Sequence, residues 1–148
     1  MLCTVNDAII VQTVKLIENK SLTDDFVWIH MGSLGRKEQV LAMDQDNALI
    51  ISDDLKPEDE EYFKKLANFV CDGLDACGYI YCHGDAMASN SQWRQPLKVW
   101  MKNFSHWSNS PESKALMLLS IFFDLRHVYG LFLLLNYLHT SLLFQTIN

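Results

Sequence analysis

The sequence has little positive charge, and its overall balance is acidic. It holds 12 Lys and Arg against 18 Asp and Glu, which gives a formal net charge of −6. Binding to a nucleic-acid backbone irrespective of base sequence requires clustered Lys and Arg side chains. The composition therefore argues against a nucleic-acid partner.

Cysteine is also scarce, with 4 residues in 148. No secretory signal precedes them, and their density is too low for a disulfide scaffold. These features predict a reducing, cytoplasmic compartment. Cys71, Cys77, Cys82 and His83 could suggest zinc, but structural zinc sites favour closely spaced cysteine pairs. Buried free thiols are the preferred interpretation.

The chain lacks an apolar run of the length that a typical membrane span needs. Residues 128–144 contain no formal charge, but they are about one helical turn short of the roughly 20 residues of a span. The stretch also contains Asn136 and His139, which disfavour a bilayer. We expect a core helix whose apolar surface packs against a part of the protein that is absent from this chain. We also expect the isolated chain to dimerise through this helix. A helical interaction domain is thus one reading of the protein, which we expect to be a fragment of a longer one.

Hydrophobic periodicity predicts helices and short strands that alternate along a single domain spanning residues 1–148. This order indicates an α/β (α+β) fold with a small mixed β-sheet flanked by helices. The predicted elements are an N-terminal helix within residues 1–21, a strand at 26–31, a helix at 33–40, a strand at 46–52, a helix from 57 to about 76, a strand at 79–82, a helix bearing Trp93, Trp100 and Trp107, and a C-terminal helical part at 112–148 in which 121–124 is a strand edge or a helix continuation.

The strongest candidate for a functional site lies in residues 32–51. Asp44 and Asp46 stand two residues apart before an apolar run, so their carboxylates share one face of a strand. Their mutual repulsion there calls for a cation. Mg²⁺ takes one or two carboxylates together with substrate phosphates, and paired ions can clamp the oxygens of an in-line displacement. The pair does not fit a Ca²⁺-binding EF-hand, because Leu49 occupies the required glycine position.

Gly32 and Ser33 form a predicted strand-to-helix turn ahead of the two aspartates. Glycine lets a ligand approach the backbone there, and exposed N–H groups favour an anion. Arg36 is a candidate phosphate ligand, with a solvated helix face shared with Lys37 as the alternative. The segment fits neither the P-loop nor the dinucleotide-binding fingerprint.

Taken together, these residues resemble the nucleotidyltransferase superfamily of the β-type DNA polymerases, whose hallmark is an apolar strand, Gly-Ser or Gly-Gly, a spacer, and Asp-x-Asp or Asp-x-Glu. Three blocks extend the likeness: MGSLGRKEQVLAMDQDNALI, CHGDAMASNSQWR and IFFDLR. They resemble the nucleotidyltransferase domain of bacterial signalling proteins, which often lies beside CBS or cyclic-nucleotide-binding domains. That family is related to the uridylyltransferase of the PII nitrogen-signalling protein.

The resemblance implies a Mg²⁺ or Mn²⁺ site at Asp44 and Asp46 and a nucleoside triphosphate on Gly32 and Ser33. It implies transfer of a nucleoside monophosphate to a protein or small-molecule acceptor, with loss of pyrophosphate.

Such enzymes usually have a third carboxylate on a later strand, for which Asp85 and Asp124 are the candidates. The alternative role for Asp124 is a salt bridge to Arg126. If neither acid reaches the metal, the domain is a regulatory module that binds nucleotide without turnover.

Other polar residues follow the second block. Ser89, Asn90 and Arg94 are predicted to make polar contacts in the cleft, with helix capping as their alternative. Trp93, Trp100 and Trp107 could stack on bases, but their helical spacing predicts core positions.

Overall fold

The computed structural model describes residues 2–17, 25–37, 44–110 and 112–145. Within these ranges the chain forms six α-helices and one four-stranded mixed sheet, so the predicted α/β (α+β) class is confirmed. In chain order the elements are α1 (Leu2–Ile17), β1 (Phe26–His30), α2 (Gly32–Gly35), β2 (Asn47–Ile51), α3 (Asp59–Ala76), a 3₁₀ turn (Ser91–Trp93), β3 (Arg94–Pro96), α4 (Leu97–Asn109), α5 (Ser113–Phe122), β4 (Arg126–Gly130) and α6 (Phe132–Gln145).

The sheet has the strand order β3-β2-β1-β4. β1 is antiparallel to both β2 and β4, whereas β2 and β3 are parallel. In the β1–β2 ladder Phe26 pairs with Ile51 and His30 pairs with Asn47. The end of β1 therefore lies beside the start of β2, which is where the candidate site is built.

Helices cover both faces of the sheet, and this explains why β1 and β2 are buried along their whole length. Phe26, Trp28 and Leu49 face one side and pack in a cluster with residues of α1 and α3. Val27 and Ile29 face the other side and pack in a second cluster with residues of α4, α5 and α6. Each side of the sheet thus has its own apolar core.

The tryptophan stripe lies in the second core, as its spacing predicts. The predicted single helix is wrong for Trp93, because α4 begins at Leu97 and carries only Trp100 and Trp107. Trp93 lies in the 3₁₀ turn, separated from α4 by β3, with its ring centroid 6.2 Å from that of Trp100. The Trp100 indole N–H donates to the Leu49 carbonyl at 3.1 Å. Burial of this kind leaves these rings no face for stacking on a base.

Several predicted elements differ from the observed ones. The predicted strand at 79–82 is wrong, because only Ile80 forms an isolated bridge, to Asp44. The predicted helix at 33–40 ends already at Gly35, and Lys37 has a left-handed φ of 59°; positions 38–40 lie outside the described residues. Strands β3 and β4 were missed. The helix continuation is correct for residues 121–122, after which the chain bends.

None of the described helices has the length and apolar character needed to cross a membrane. Helix α6, the last one, packs one part of its surface against the second core and exposes another part. Leu134, Leu135 and Leu138 of α6 are buried in the second core, whereas Leu133 and Tyr137 are 55% and 67% exposed.

Candidate metal and nucleotide site

The antiparallel pairing of β1 and β2 brings the Gly-Ser turn against the second aspartate. The Met31 N–H donates to the Asp46 carbonyl at 3.1 Å, and Gly32 follows directly. A Cβ on Gly32 would lie 3.4 Å from Asp46 Oδ2, and Gly32 has a φ of 54°. A side chain there would be strained by the positive φ, and its Cβ would occupy the space in van der Waals contact with the carboxylate. Gly32 therefore keeps the space beside Asp46 open.

The residues between and after the two aspartates anchor them from the opposite face. Gln45 is fully buried, and its amide N–H groups donate to the carbonyls of Cys71 and Tyr79 at 2.9 and 2.8 Å. Asn47 is also fully buried and accepts the Ala88 N–H at 2.9 Å. Since side chains alternate along an extended chain, these bonds fix the side of the backbone from which the carboxylates project.

A thiol completes the cluster. The ligand atoms of Asp44, Asp46 and Cys82 all lie within 4.8 Å of one another. The Cys82 side chain hydrogen-bonds to Asp46, and the amides of Gly84 and Ala86 point at the sulfur. Sequence reasoning missed Cys82 as part of this site, because it is remote along the chain and was assigned to a buried free thiol. The thiols of Cys71, Cys77 and Cys82 are free, but the predicted burial is correct only for Cys71, since Cys82 is half-buried and Cys77 is exposed.

Burial raises the pKa of Asp46 to about 6; the hydrogen bond from the Cys82 thiol opposes this shift, and the negative charge of Asp44 adds to it. Burial also raises the pKa of the Cys82 thiol. A divalent cation would relieve both the desolvation of Asp46 and its repulsion by Asp44. Two carboxylates, with substrate phosphates as further oxygen ligands, are a donor set that fits Mg²⁺ or Mn²⁺.

The two predicted candidates for the third carboxylate do not belong to this cluster. Asp85 is exposed and accepts the Asn90 side-chain N–H at 3.0 Å, and its φ is 54°. Asp124 accepts a hydrogen bond from Arg36 Nη1 at 2.8 Å. The salt bridge to Arg126 that the sequence suggested for Asp124 is thus wrong, because Arg36 is its partner.

Arg126 supports the site by connecting β4 with α1 and α2. Its guanidinium binds both carboxylate oxygens of Asp7 on α1, at 2.7 and 2.9 Å. The same group donates to the Leu34 carbonyl of α2, at 3.2 Å from Nη2. A Cβ on Gly35 would come within 2.0 Å of the Asp124 carbonyl oxygen. The segment 124–126 therefore presses directly on α2 and holds the turn that contains Gly32 and Ser33.

His30 links this support to the aspartates. It is fully buried, with Nδ1 3.3 Å from the Asp46 carbonyl oxygen and Nε2 3.2 Å from Asp7 Oδ1. Burial alone would raise the pKa of Asp7, but hydrogen bonds and charge from His30 and Arg126 lower it far below its ordinary value. The sequence does not indicate a role for His30, since its contact with Asp7 of α1 depends on the tertiary structure.

Ser89, Asn90 and Arg94 make internal contacts. Asn90 caps the 3₁₀ turn by accepting the Gln92 N–H at 2.9 Å, which was the alternative given for this group. Ser89 hydrogen-bonds to Cys71. Arg94 is 7% exposed and donates from Nη1 to the carbonyls of Ala88 and Ser89.

One comparison with known proteins gives a result. Residues 1–114 match the family described as "Putative nucleotidyltransferase DUF294". The match contains Gly32, Ser33, Asp44, Asp46 and Cys82, whereas β4 and α6 follow it. No curated protein and no solved structure matches the chain. The family resemblance is therefore confirmed over residues 1–114, and the IFFDLR block lies beyond that range.

Proposed function

The chain belongs to the nucleotidyltransferase family whose model it matches, and we propose that it transfers a nucleoside monophosphate from a nucleoside triphosphate to a protein or small-molecule acceptor, with Mg²⁺ or Mn²⁺ as cofactor. The observation that supports this most is the contact between the bare backbone at Gly32 and Asp46, beside Asp44. This contact supports the proposal because an anion that approaches Gly32 would lie next to the two carboxylates proposed as metal ligands.

The proposed roles follow from chemistry. Asp44 and Asp46 would hold the divalent ion, which would offset charge on the phosphates. Gly32 would let the triphosphate approach the backbone, and the Ser33 hydroxyl would offer a hydrogen bond to it. The acceptor oxygen or nitrogen attacks the α-phosphorus, the bond from that phosphorus to the bridging oxygen breaks, and pyrophosphate leaves. The acceptor's proton passes to solvent or to a nearby carboxylate.

The resemblance to the PII uridylyltransferase supports finer proposals. We propose uridine triphosphate as the donor and a signalling role in the cytoplasm, without a nucleic-acid or membrane partner. The protein is incubated with Mn²⁺ and each of the common nucleoside triphosphates, labelled on the γ-phosphate. Labelled pyrophosphate should be released fastest from uridine triphosphate. Equal release with all of them would contradict the choice of donor and leave the reaction class intact.

A second function is favoured by the contacts of Asp85 and Asp124. Neither acid joins the Asp44–Asp46–Cys82 cluster of the described residues, so the domain could bind nucleotide as a regulatory module without turnover. The same labelling experiment separates the two functions. Metal-dependent binding of triphosphate, with no pyrophosphate release even in full-length protein supplied with its partner, would favour the module.

Replacing Cys82 by aspartate should strengthen metal binding. The thiol lies at the position in the cluster where a third carboxylate would contact the ion, and a protonated thiol is a weak ligand for Mg²⁺. An added carboxylate should raise Mg²⁺ affinity by about tenfold, because affinity in oxygen-ligand sites rises with ligand charge. Calorimetric titration with Mg²⁺ measures this. Cys82→Asn is the matched control, and equal affinity in the two variants would remove Cys82 from the metal site.

We also propose that the chain self-associates through α6. Leu133, Tyr137 and Leu143 of this helix are each more than half exposed, and an exposed apolar surface of this kind is typical of an interface. Light scattering should show dimers that Tyr137→Lys converts to monomers. Phe69→Lys, an equivalent change at an exposed position of α3, should leave the dimer unchanged. A monomeric wild-type chain at high concentration would exclude this interface.

A further inference from the structure

A cleft of about 350 Å³ lies away from the aspartate cluster, between β3, the first turn of α3 and the turn that follows β2. Gly32, Asp44, Asp46 and Cys82 do not line it. Its walls are largely apolar, and its polar groups include one buried cation. The lining residues that matter here are Ile51, Leu55, Phe63, Glu60 and Arg94.

Arg94 is the unusual member of this lining. Arg94 as a whole residue is only 7% exposed to solvent. The hydrogen bonds of its guanidinium both come from Nη1, to the carbonyls of Ala88 at 2.7 Å and Ser89 at 2.9 Å. Within the described residues, Nε and Nη2 have no hydrogen-bond partner and no carboxylate forms a salt bridge with Arg94.

Protein groups satisfy the Arg94 guanidinium only in part, and its Nε and Nη2 are not among the fully buried polar atoms that lack a partner, so solvent reaches them. Neutral carbonyls accept hydrogen bonds but do not offset a full positive charge, and a largely buried charge without a counter-ion is unfavourable. Glu60 and Glu61 attract Arg94 only at longer range, and burial lowers the pKa of Arg94. The Nε and Nη2 donors of arginine form a planar fork that matches the two oxygens of a carboxylate. The uncommitted edge of Arg94 is thus a ready anion contact.

We propose that this cleft binds a small organic carboxylate, whose carboxyl group pairs with the Nε and Nη2 edge of Arg94 and whose apolar body packs on Leu55 and Phe63. The apolar walls favour an organic anion over inorganic phosphate, because phosphate would leave those side chains facing water. The exposed Glu60 and Lys56 also line the cleft, and their opposite charges offset each other. The site is separate from the proposed metal and nucleotide site, and it stands whether or not that function is correct.

Benzoate is a suitable probe, and benzyl alcohol is its neutral control of nearly the same shape. Calorimetric titration of the full chain, without metal, should show saturable binding of benzoate at one site. Benzyl alcohol should bind at least about tenfold more weakly, since it cannot form the charge-assisted pair. Inorganic phosphate should also bind more weakly than benzoate.

Two variants test the location. Arg94→Gln should weaken benzoate binding by about tenfold or more, because it removes the guanidinium fork. Leu55→Trp should abolish binding by filling the cleft, and it leaves the Arg94 hydrogen bonds in place. Lys64→Gln, which removes an exposed cation of α3 outside the cleft, should bind benzoate normally, as should Asp46→Asn. Circular dichroism checks the fold of each variant.

Equal affinity for benzoate and benzyl alcohol, or no saturable benzoate binding, would overturn the proposal. So would unchanged benzoate affinity in Leu55→Trp, which decides the question even if Arg94→Gln fails to fold. Tighter binding of phosphate than of benzoate would identify an inorganic anion site and would also overturn the assigned ligand class. Loss of nucleotide binding in Asp46→Asn with benzoate binding intact would show that the two sites are independent.

Discussion

Asp46→Asn should lower metal-dependent nucleotide binding on the order of a hundredfold while leaving the apo-protein slightly more stable at pH 8. The binding loss follows because an amide is a neutral and weaker ligand than a carboxylate, and only Asp44 would remain as an anionic oxygen ligand of the cluster. Mn²⁺ and nucleotide titrations measure the loss.

The stability gain follows from the raised pKa of Asp46. Its pKa is about 6 in the folded chain, against an ordinary value of 3.8, so the folded state holds this proton more tightly than the unfolded state. The native state is therefore destabilised by ionisation of Asp46 as pH rises from about 4 to about 6, and the full cost persists above that range. Asparagine removes the cost.

The full shift would correspond to nearly 3 kcal/mol, but Asp46 is partly exposed and solvent screening reduces this to about 1 kcal/mol. Urea unfolding at pH 8 should show that gain for Asp46→Asn, and the gain should fade near pH 4. Asp54→Asn, at an exposed turn, should change neither stability nor binding. A loss of more than about 1 kcal/mol at pH 8 would mean that the carboxylate has a structural role instead.

The same pKa sets the pH dependence of metal binding. A proton and a divalent cation compete for Asp46, so apparent metal affinity should be constant above pH 6 and fall by about tenfold per pH unit below it. Calorimetric titration with Mn²⁺ between pH 5 and pH 8 measures this. Affinity that does not change across the range would show that Asp46 is not a ligand.

The parts of the fold that could be predicted from sequence are those that local pattern determines. Residues 26–31 and 46–52 read as strands because they are apolar runs of β-forming residues, and both are buried on two faces. β3 was missed because it is Arg94–Pro96, a three-residue edge strand that is polar and ends in proline. β4 was absorbed into the apolar C-terminal stretch, since pairing with β1 is a long-range interaction that its own residues do not reveal.

The candidate site likewise has one part that the local sequence predicts and another part that depends on long-range contacts. The contact between Gly32 and Asp46 follows from two adjacent antiparallel strands, so their short separation along the chain made them predictable. Cys82 reaches the site through the 79–86 segment, and Asp7 of α1 reaches it by contacting His30, so both depend on tertiary contacts. Arg94 shows a further limit, since its polarity suggested a cleft contact but could not tell which cleft.

Those tertiary contacts should be energetically important, and Arg126→Met should show this by destabilising the chain by about 2–3 kcal/mol. Breaking a buried ion pair costs roughly 3–5 kcal/mol, and the estimate is lower because the Arg126 and Asp7 side chains are 19% and 27% exposed. The change leaves Asp7 half-buried without its bidentate partner and removes the bond to the Leu34 carbonyl. Since α2 would then be less restrained, nucleotide affinity should fall as well.

A double-mutant cycle isolates the pair. Asp7→Asn with Arg126→Met should cost less than the sum of the two single changes, because neither variant group would remain as an uncompensated charge. The lowered pKa of Asp7 means that its contribution is present above about pH 4 and is lost as pH falls, so the coupling should vanish in acid. Lys65→Met, which breaks an exposed 3.9 Å pair with Glu61, should cost at most about 0.5 kcal/mol. If Arg126→Met costs no more than that control, the Arg126–Asp7 pair does not hold the site, and α2 must be positioned by the close approach of Gly35 to Asp124.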